Sequence, residues 1–330
     1  MARVVVTGVT GFIGSNLAKK LVELGHRVFG VTRHCASRNL KPIEEILDSM
    51  ILLTADITDP MSISQVLKSA NPDYICHLAA LTPVRLSFEK PFEYERTNYL
   101  GTMAIVYATM KLPDYEERKI ILASTAEVYG FHKEEEKPLK ESASLNPSSP
   151  YAVSKAAADM YVRMASQVYN LNCVVLRPVN SYGRRFETRF VVEYVITSML
   201  RRENVYVGAP ESVREYMYVD DHVNAYLRAI EKGKKGEAYN VATGKGIKNR
   251  HLVEKIAEQV GYDKNSIVFG SYPPGYPLRP IMSDQPYIVL DSTKAKRELD
   301  WRPRVSLNEG LQKTIEYWRD KITKSCMRVG

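Results

Sequence analysis

Two residues near the middle of the chain have the types and the spacing needed to remove a proton from a hydroxyl group. Tyr151 and Lys155 lie four residues apart, so a helix would place both side chains on one face. A free tyrosine has a pKa of ~10, which makes it a poor base at neutral pH. A lysine ammonium ~4 Å away, at an effective dielectric of ~20, would lower that pKa by roughly three, although burial of the phenol would oppose this. The pair predicts a tyrosine base.

A second segment carries a hydroxyl and a carboxylate that could act on the same substrate. Thr125 and Glu127 follow the apolar run at 119–123, which is typical of a buried strand. Because ligands of open α/β folds bind at the carboxyl ends of the strands, we expect both side chains at that edge. Thr125 would then hold the substrate hydroxyl in line with Tyr151.

Three glycines near the start of the chain predict a dinucleotide site. The apolar residues 4–6 are followed by Gly8, Gly11 and Gly14 and then by an amphipathic helical pattern. Gly8 would allow a sharp turn, Gly11 the close approach of a pyrophosphate, and Gly14 close packing of the helix on the strand. The free amides at the helix start, which include those of Phe12 and Ile13, would face the diphosphate.

The end of the second predicted strand distinguishes NADP from NAD. NAD-binding folds usually carry an acid there for the ribose hydroxyls, whereas this chain has Arg33 and no acid before Glu44. Because an arginine attracts a 2′-phosphate, we favour NADP over NAD, with Arg33, and also Arg38, near the phosphate. The alternative is that Arg33 is a solvated loop charge. Lys155 would bind the nicotinamide ribose.

The alternation of strand and helix patterns predicts a Rossmann-type α/β fold, a doubly wound parallel sheet. The alternation loosens after residue 177. We therefore expect an NAD(P)-binding domain over 1–176 and a smaller C-terminal α/β substrate domain over 177–330, with a segment at about 236–250 returning to the first lobe.

Composition restricts the partners. A net charge of +8 suits an anionic ligand, but the basic residues form no dense cluster, so we expect no nucleic acid partner. The first predicted strand leaves no room for a signal peptide, and no apolar run reaches membrane-spanning length. The four cysteines form no C-x-x-C pair, which predicts reduced cysteines, no metal site and a cytoplasmic protein.

These motifs resemble the extended short-chain dehydrogenase/reductase family, whose members include nucleotide-sugar epimerases and dehydratases. The resemblance extends over nearly the whole chain. It includes the R-P-x-N-x-Y-G segment at 177–183, Arg214 followed by Tyr218-Val219-x-Asp221, and the segment at 291–303.

The resemblance implies roles for residues that the chemistry alone does not identify. Asp56 and Ile57 would contact adenine, and Leu78, Ala79 and Ala80 would line the cofactor. Asn180, Arg214 and Arg279 would contact the diphosphate of a nucleotide sugar. The helices predicted at 93–110 and 151–170 would form a homodimer interface.

The residue pair at 126–127 bears on the reaction. Resembling 4,6-dehydratases carry a glutamate at the position of Glu127, and many epimerases carry a small or neutral residue. A 4,6-dehydratase needs a base for the C5 proton and an acid for the leaving C6 hydroxyl. At the position of Ala126, dTDP-glucose dehydratases have an aspartate that serves as this acid. GDP-mannose dehydratases have a serine there and use one glutamate as both base and acid. We therefore favour a nucleotide-sugar 4,6-dehydratase that acts through a transient 4-keto sugar.

A nucleotide-sugar 4-epimerase is the main alternative. A reductase or a decarboxylase is a lesser alternative. An alternative of another class is a non-catalytic NADP-binding protein. A pure binding protein has no need for Thr125, Tyr151 and Lys155 together, which argues against that class.

Overall fold

A computed structural model describes residues 1–33, 39–273, 275–276, 280 and 283–327. Within these ranges the strands are β1 (Arg3–Thr7), β2 (Arg27–Thr32), β3 (Ile51–Thr54), β4 (Tyr74–His77), β5 (Lys119–Ala123), β6 (Asn172–Pro178), β7 (Asn180–Tyr182), β8 (Val205–Val207), β9 (Val213–Arg214), β10 (Tyr216–Tyr218), β11 (Ala238–Val241), β12 (Ile247–Lys248) and β13 (Ile267–Phe269). The α-helices are α1 (Phe12–Glu23), α2 (Pro60–Ala70), α3 (Val84–Glu89), α4 (Pro91–Tyr94), α5 (Gly101–Thr109), α6 (Pro150–Val168), α7 (Val191–Leu200), α8 (Val219–Lys232), α9 (Asn249–Val260), α10 (Thr293–Glu298) and α11 (Leu307–Met327).

The main sheet of the described residues contains seven parallel strands in the order β11-β6-β5-β4-β1-β2-β3. The chain runs outward from β1 to β3 on one side and continues from β4 on the other. This reversal creates a crevice at the carboxyl ends of β1 and β4, which is where open α/β sheets bind ligands. The predicted doubly wound parallel sheet is confirmed.

Both faces of this sheet are covered, which explains why its strands are apolar without alternation. In β1, Val4 and Val6 pack into one buried cluster with residues of α1 and α8. Val5 points the other way and packs with residues of α2, α5 and α6. Successive side chains of a strand point to opposite faces, so one strand serves both layers.

A third buried cluster lies in the later part of the chain and contains residues of α7, α9 and α11. Three short strand pairs accompany it among the described residues, β7 with β10, β8 with β13 and β9 with β12. Strand β11 instead pairs with β6 in the main sheet. None of the described helices is long and apolar enough to cross a membrane.

Most predicted boundaries agree with the structure to within two or three residues, but the helix expected at 93–110 differs in form. It consists of α4, a π-helical segment at Glu95–Leu100 and α5. A 3₁₀ segment at Lys41–Ser49 and the helices α3 and α8 are additional elements that the sequence pattern did not predict.

Candidate active site

The two strands at the crevice, β1 and β4, and the neighbouring strand β5 each have a predicted site residue at or just beyond the carboxyl end. Gly8 follows β1, Leu78 follows β4, and Thr125 lies just beyond β5. Parallel strands bring these ends to one edge of the sheet. The structure therefore gathers residues that are far apart in the sequence.

At two positions, the turn after β1 has no space for a residue larger than glycine. Gly8 has a φ of +69°, and a methyl group there would lie 2.8 Å from the backbone nitrogen of Ala79. A methyl group on Gly14 would lie 2.2 Å from the carbonyl oxygen of Gly8. The turn and the start of α1 are therefore packed directly against the backbone of β1 and the loop after β4.

The start of α1 offers unpaired amides. Gly11 is the N-cap residue and has no side chain to cap the helix, and its own amide donates to the Gly8 carbonyl over 2.8 Å. The amides of Phe12 and Ile13 lie in the first turn, where no intrahelical acceptor exists. Backbone N–H groups and the positive end of the helix dipole fit a pyrophosphate, so this turn suits a dinucleotide.

The loop after β4 is held by a buried histidine. Thr7 Oγ1 accepts hydrogen bonds from the amides of Leu78 and Ala79, each over 3.1 Å. The Thr7 hydroxyl therefore donates to Nδ1 of His77 over 2.8 Å, which leaves the proton of the ring on Nε2, facing Thr102. Burial lowers the pKa of His77 to about 3. His77 is a neutral structural residue that fixes the backbone where the cofactor residues were predicted.

The π-helical segment contributes to the same loop through Asn98. Its side chain accepts from the Leu81 amide over 2.8 Å and donates to the Leu81 carbonyl and to Ser154 Oγ, each over 3.0 Å. Ser154 belongs to α6. Asn98 thus joins the loop after β4 to the helix that carries the predicted base.

Helix α6 begins immediately before the predicted base. Ser149 caps it by accepting from the Ala152 amide over 3.1 Å, and Pro150 occupies the first turn. Tyr151 is buried, and Thr125 lies close enough to its phenol to lower the pKa of the phenol. The structure therefore joins the predicted base to the predicted substrate-holding hydroxyl.

Burial raises the pKa of Tyr151 above its ordinary value, and the nearby Thr125 side chain only partly offsets this. The expectation that Lys155 lowers this pKa is wrong for the protein alone, because burial of the phenol dominates and the group that lowers the pKa is Thr125, not Lys155. Lys155 is also buried, and its ammonium donates to the carbonyl of Ala123 at the end of β5. Burial lowers the pKa of Lys155 to about 8, and Asp159 opposes that change.

Glu127 lies beside the predicted base. It belongs to a 3₁₀ turn at Ala126–Tyr129, and its amide donates to Thr125 Oγ1 over 3.2 Å. Its negative charge is close enough to Tyr151 to raise the pKa of the phenol. Among the described residues no hydrogen bond or ion pair engages the Glu127 carboxylate, which is half-buried. The group is therefore available to a ligand.

The residues predicted to bind the adenosine end lie at the carboxyl ends of the next strands. Arg33 follows β2 and is exposed. Asp56 lies beyond β3, is exposed and accepts from the amide and hydroxyl of Thr58, each over 2.9 Å. Ile57 is buried, and its side chain reaches α5. Ala80 is half-buried in the loop after β4. Arg38 lies outside the described residues.

The three predicted diphosphate contacts have different settings. Asn180 is exposed at the start of β7. Arg214 is buried in β9 and pairs with Asp284 over 2.8 Å, a partner that the sequence did not predict. Arg279 lies outside the described residues.

Arg184 lies beside the glycine turn at the start of α1, and the sequence did not predict this position. Its guanidinium lies 4.4 Å from the centre of the Phe12 ring and 3.7 Å from that of Phe190. It also pairs with the buried Glu193 over 3.3 Å. Arg184 thus connects the first residue of α1 to the later part of the chain, and nothing in the local sequence pattern identifies this contact.

Comparisons with known proteins agree with this geometry. A UDP-glucose 4-epimerase of Mycolicibacterium smegmatis is 33% identical over 97% of this chain and 99% of its own length. A dTDP-D-glucose 4,6-dehydratase of Homo sapiens is 31% identical over 97% of this chain and 91% of its own length. The solved structure of DesIV, a dTDP-glucose 4,6-dehydratase of Streptomyces venezuelae with NAD and TDP bound, superposes with a TM-score of 0.87 at 26% identity, covering 98% of each chain.

These relatives are enzymes matched over nearly their full length, which disfavours the non-catalytic alternative. The family model for GDP-mannose 4,6 dehydratase matches residues 5–314. The chain therefore belongs to the GDP-mannose 4,6-dehydratase family within the extended short-chain dehydrogenase/reductases.

Proposed function

We propose that the protein is an NAD(P)-dependent 4,6-dehydratase of a nucleotide-diphosphate sugar. The observation that carries this proposal is the position of Glu127 beside Tyr151 and Thr125, with a carboxylate that has no hydrogen-bond or ion-pair partner among the described residues. A dehydratase needs such a group, because it must move a proton at C5 as well as at the C4 hydroxyl.

The first proton transfer follows from the contacts of Tyr151. The dinucleotide, when bound, supplies a hydride acceptor and donor. Thr125 lies beside Tyr151 and, in this proposal, hydrogen-bonds the C4 hydroxyl of the sugar, which aligns the hydroxyl proton with the phenol oxygen. Since burial makes the phenol a weaker acid, the base form needs a positive charge nearby, and Lys155 is the buried cation on the same helix face. Tyr151 then takes the C4 hydroxyl proton.

Elimination is the task of Glu127. A 4-keto group makes the C5 proton acidic, and the carboxylate takes this proton as the C5–C6 double bond forms. The C6–O bond breaks, and the hydroxide leaves as water with the proton that Glu127 returns. Ala126 has no acidic side chain, so one carboxylate performs both transfers. C5 then takes a proton from solvent, and C6 would become a methyl group by receiving the hydride that left C4, which the bound dinucleotide would have held.

A 4-epimerase is the second candidate, and Ala126 favours it. The dTDP-glucose dehydratases that the sequence resembles have an acid at this position. In an epimerase the 4-keto sugar would rotate within the site to present its other face to the dinucleotide. Glu127 would then be a polar residue that lines the pocket. The M. smegmatis relative, named as an epimerase, supports keeping this candidate.

We propose NADP as the cofactor, with NAD as the alternative. The exposed Arg33 at the end of β2, where NAD-binding folds usually carry an acid, supports NADP. The NAD bound to DesIV supports the alternative.

We further propose a homodimer built on α5 and α6. Helices α5 and α6, together with the π-helical segment that precedes α5, expose the large apolar side chains of Leu100, Tyr107, Val153 and Met160, about half of each. Apolar exposure of this kind is typical of an interface.

A cytoplasmic location is supported by the free, buried Cys76. A division into lobes near residues 176–177 is supported by the separate buried cluster in the later part of the chain.

A product assay tests the reaction. The purified protein is incubated with UDP-, dTDP-, GDP- and CDP-linked glucose, N-acetylglucosamine and mannose, with NAD and with NADP, and each product is examined by proton NMR. The proposal expects one substrate to yield a 4-keto sugar with a new C6 methyl signal. A product inverted at C4 that keeps its C6 hydroxyl would establish the epimerase instead.

A further inference from the structure

A buried ion pair lies directly behind the proposed catalytic groups and has no part in the mechanism above. Asp159 is on α6 and Arg177 is in β6, and neither side chain has more than 1% of its surface exposed. Two parallel hydrogen bonds of 2.9 Å join the guanidinium to the carboxylate. Such pairs add little stability over apolar residues, since each charge loses its hydration. The cost of burying them suggests a use other than stability.

The pair contacts both segments that carry the proton-transfer groups. Ser124, the residue before Thr125, donates its hydroxyl to the Asp159 carboxylate over 2.8 Å. Arg177 donates to the Tyr129 hydroxyl over 2.9 Å, and Tyr129 ends the 3₁₀ turn that contains Glu127. The pair therefore fixes the strand end and the turn on which the substrate-facing side chains stand.

The pair also sets the electrostatic surroundings of Lys155. Asp159 is one helical turn beyond Lys155 and raises the pKa that burial lowers. Among the described residues, Tyr151 lies one helical turn before Lys155 on the same helix, and His77 on β4 faces Lys155, since its own low pKa is due in part to the lysine charge. His77 is neutral, so Asp159 is the anion of this described group that supports the ammonium.

We propose that Asp159 and Arg177 are positioning residues that hold Lys155 in its charged form and fix the segments carrying Thr125 and Glu127. This inference rests on the proposed role of Lys155 in supporting the Tyr151 base. The two charges act on Lys155 with opposite signs. Asp159 favours the ammonium, and Arg177 restrains that effect by pairing with the carboxylate.

Opposite signs provide a test that a purely structural role would not satisfy. Asp159→Asn removes the anion and leaves Arg177 as an unpaired cation, so the pKa of Lys155 falls. Arg177→Gln leaves Lys155 as the nearest cation to Asp159, so the pKa of Lys155 rises. At an effective dielectric of ~20, a unit charge ~6 Å away, one helical turn, changes a pKa by about two units, which is the size of the fall expected in Asp159→Asn.

The measurement is a carbon NMR titration of the ε-carbon of Lys155 in protein labelled at lysine. The signal is assigned by its loss in Lys155→Met, and the titration needs no turnover. In the wild type we expect a midpoint near 8. We expect a lower midpoint in Asp159→Asn and a higher one in Arg177→Gln, with the alkaline limb of the pH profile for turnover moving the same way.

Midpoints that move in the same direction, or do not move, would overturn the inference. If either single variant fails to give a cooperative thermal transition, the charge-free double variant D159N/R177Q replaces both. Its midpoint must lie below the wild-type value, and an unchanged midpoint overturns the inference. A wild type that converts no nucleotide sugar would instead contradict the proposed function, and the NMR result would be unaffected.

Discussion

The glycine turn gives a prediction that separates ligand binding from stability. Gly11 and Gly25 lie at opposite ends of α1 and can each be replaced by alanine. A methyl group on Gly11 would meet only the Gly8 carbonyl oxygen, at 3.0 Å, and would otherwise face open space. A methyl group on Gly25 meets nothing within 4 Å, but its φ of +77° strains any other residue.

The two substitutions should reduce stability by similar amounts. Gly11→Ala loses a favourable N-cap residue, which costs about 1 kcal/mol. Gly25→Ala imposes a left-handed backbone on alanine, which costs about 1 to 2 kcal/mol. With an unfolding entropy of about 2.1 cal/mol/K per residue over 330 residues, each change lowers the melting temperature by roughly 1 to 3 °C.

Their effects on dinucleotide affinity should differ. At Gly11 the methyl group occupies the space where the pyrophosphate approaches the helix amides, so we expect affinity to fall about tenfold or more, or about 1.4 kcal/mol. Gly25→Ala should bind as the wild type does. Titration calorimetry with NAD and NADP measures both variants. Equal affinity in Gly11→Ala and Gly25→Ala would refute the assignment of this turn to the pyrophosphate.

Three further predictions concern the base, the cofactor and the assembly. Tyr151→Phe should abolish turnover and leave dinucleotide affinity nearly unchanged, because it removes only the oxygen that accepts the proton; a variant with wild-type turnover would contradict the catalytic assignment. Arg33→Ala should reduce the preference for NADP over NAD in calorimetric titrations, and a wild type that binds NAD at least as tightly as NADP would remove the argument. Light scattering at micromolar concentration should give twice the 37.4 kDa chain mass, and L100E/M160E should give a monomer; a wild-type monomer would exclude the proposed interface.

The features that the sequence predicts best are those encoded by neighbouring residues. Ser149 and Pro150 mark the start of α6, and the spacing of Gly8 and Gly14 reflects the close approach of Gly14 to the nearby Gly8 carbonyl. The pairing of Tyr151 with Thr125 follows from strand ends meeting at one edge of the sheet. These predictions needed periodicity and turn chemistry only.

The remaining features depend on contacts between distant segments. Arg184 stacks on Phe12 although about half of the chain separates the two residues, and no local pattern encodes such a contact. The rise in the pKa of Tyr151 depends on how completely the surrounding elements exclude water. The contribution of Asp159 could have been predicted from the sequence. A charged residue one helical turn after Lys155 lies on the same helix face and therefore close to its ammonium.

A reaction in D2O shows whether Glu127 moves a proton at C5 of the sugar. The active substrate is converted in D2O by the wild type and by Glu127→Gln, and the products are examined by NMR. We expect deuterium at C5 together with a new methyl group in the wild type. In Glu127→Gln we expect neither, while absorbance of the reduced dinucleotide shows that C4 oxidation continues. A product inverted at C4, with its C6 hydroxyl intact and no deuterium at C5, would contradict the dehydratase and leave Glu127 as a polar residue of the pocket.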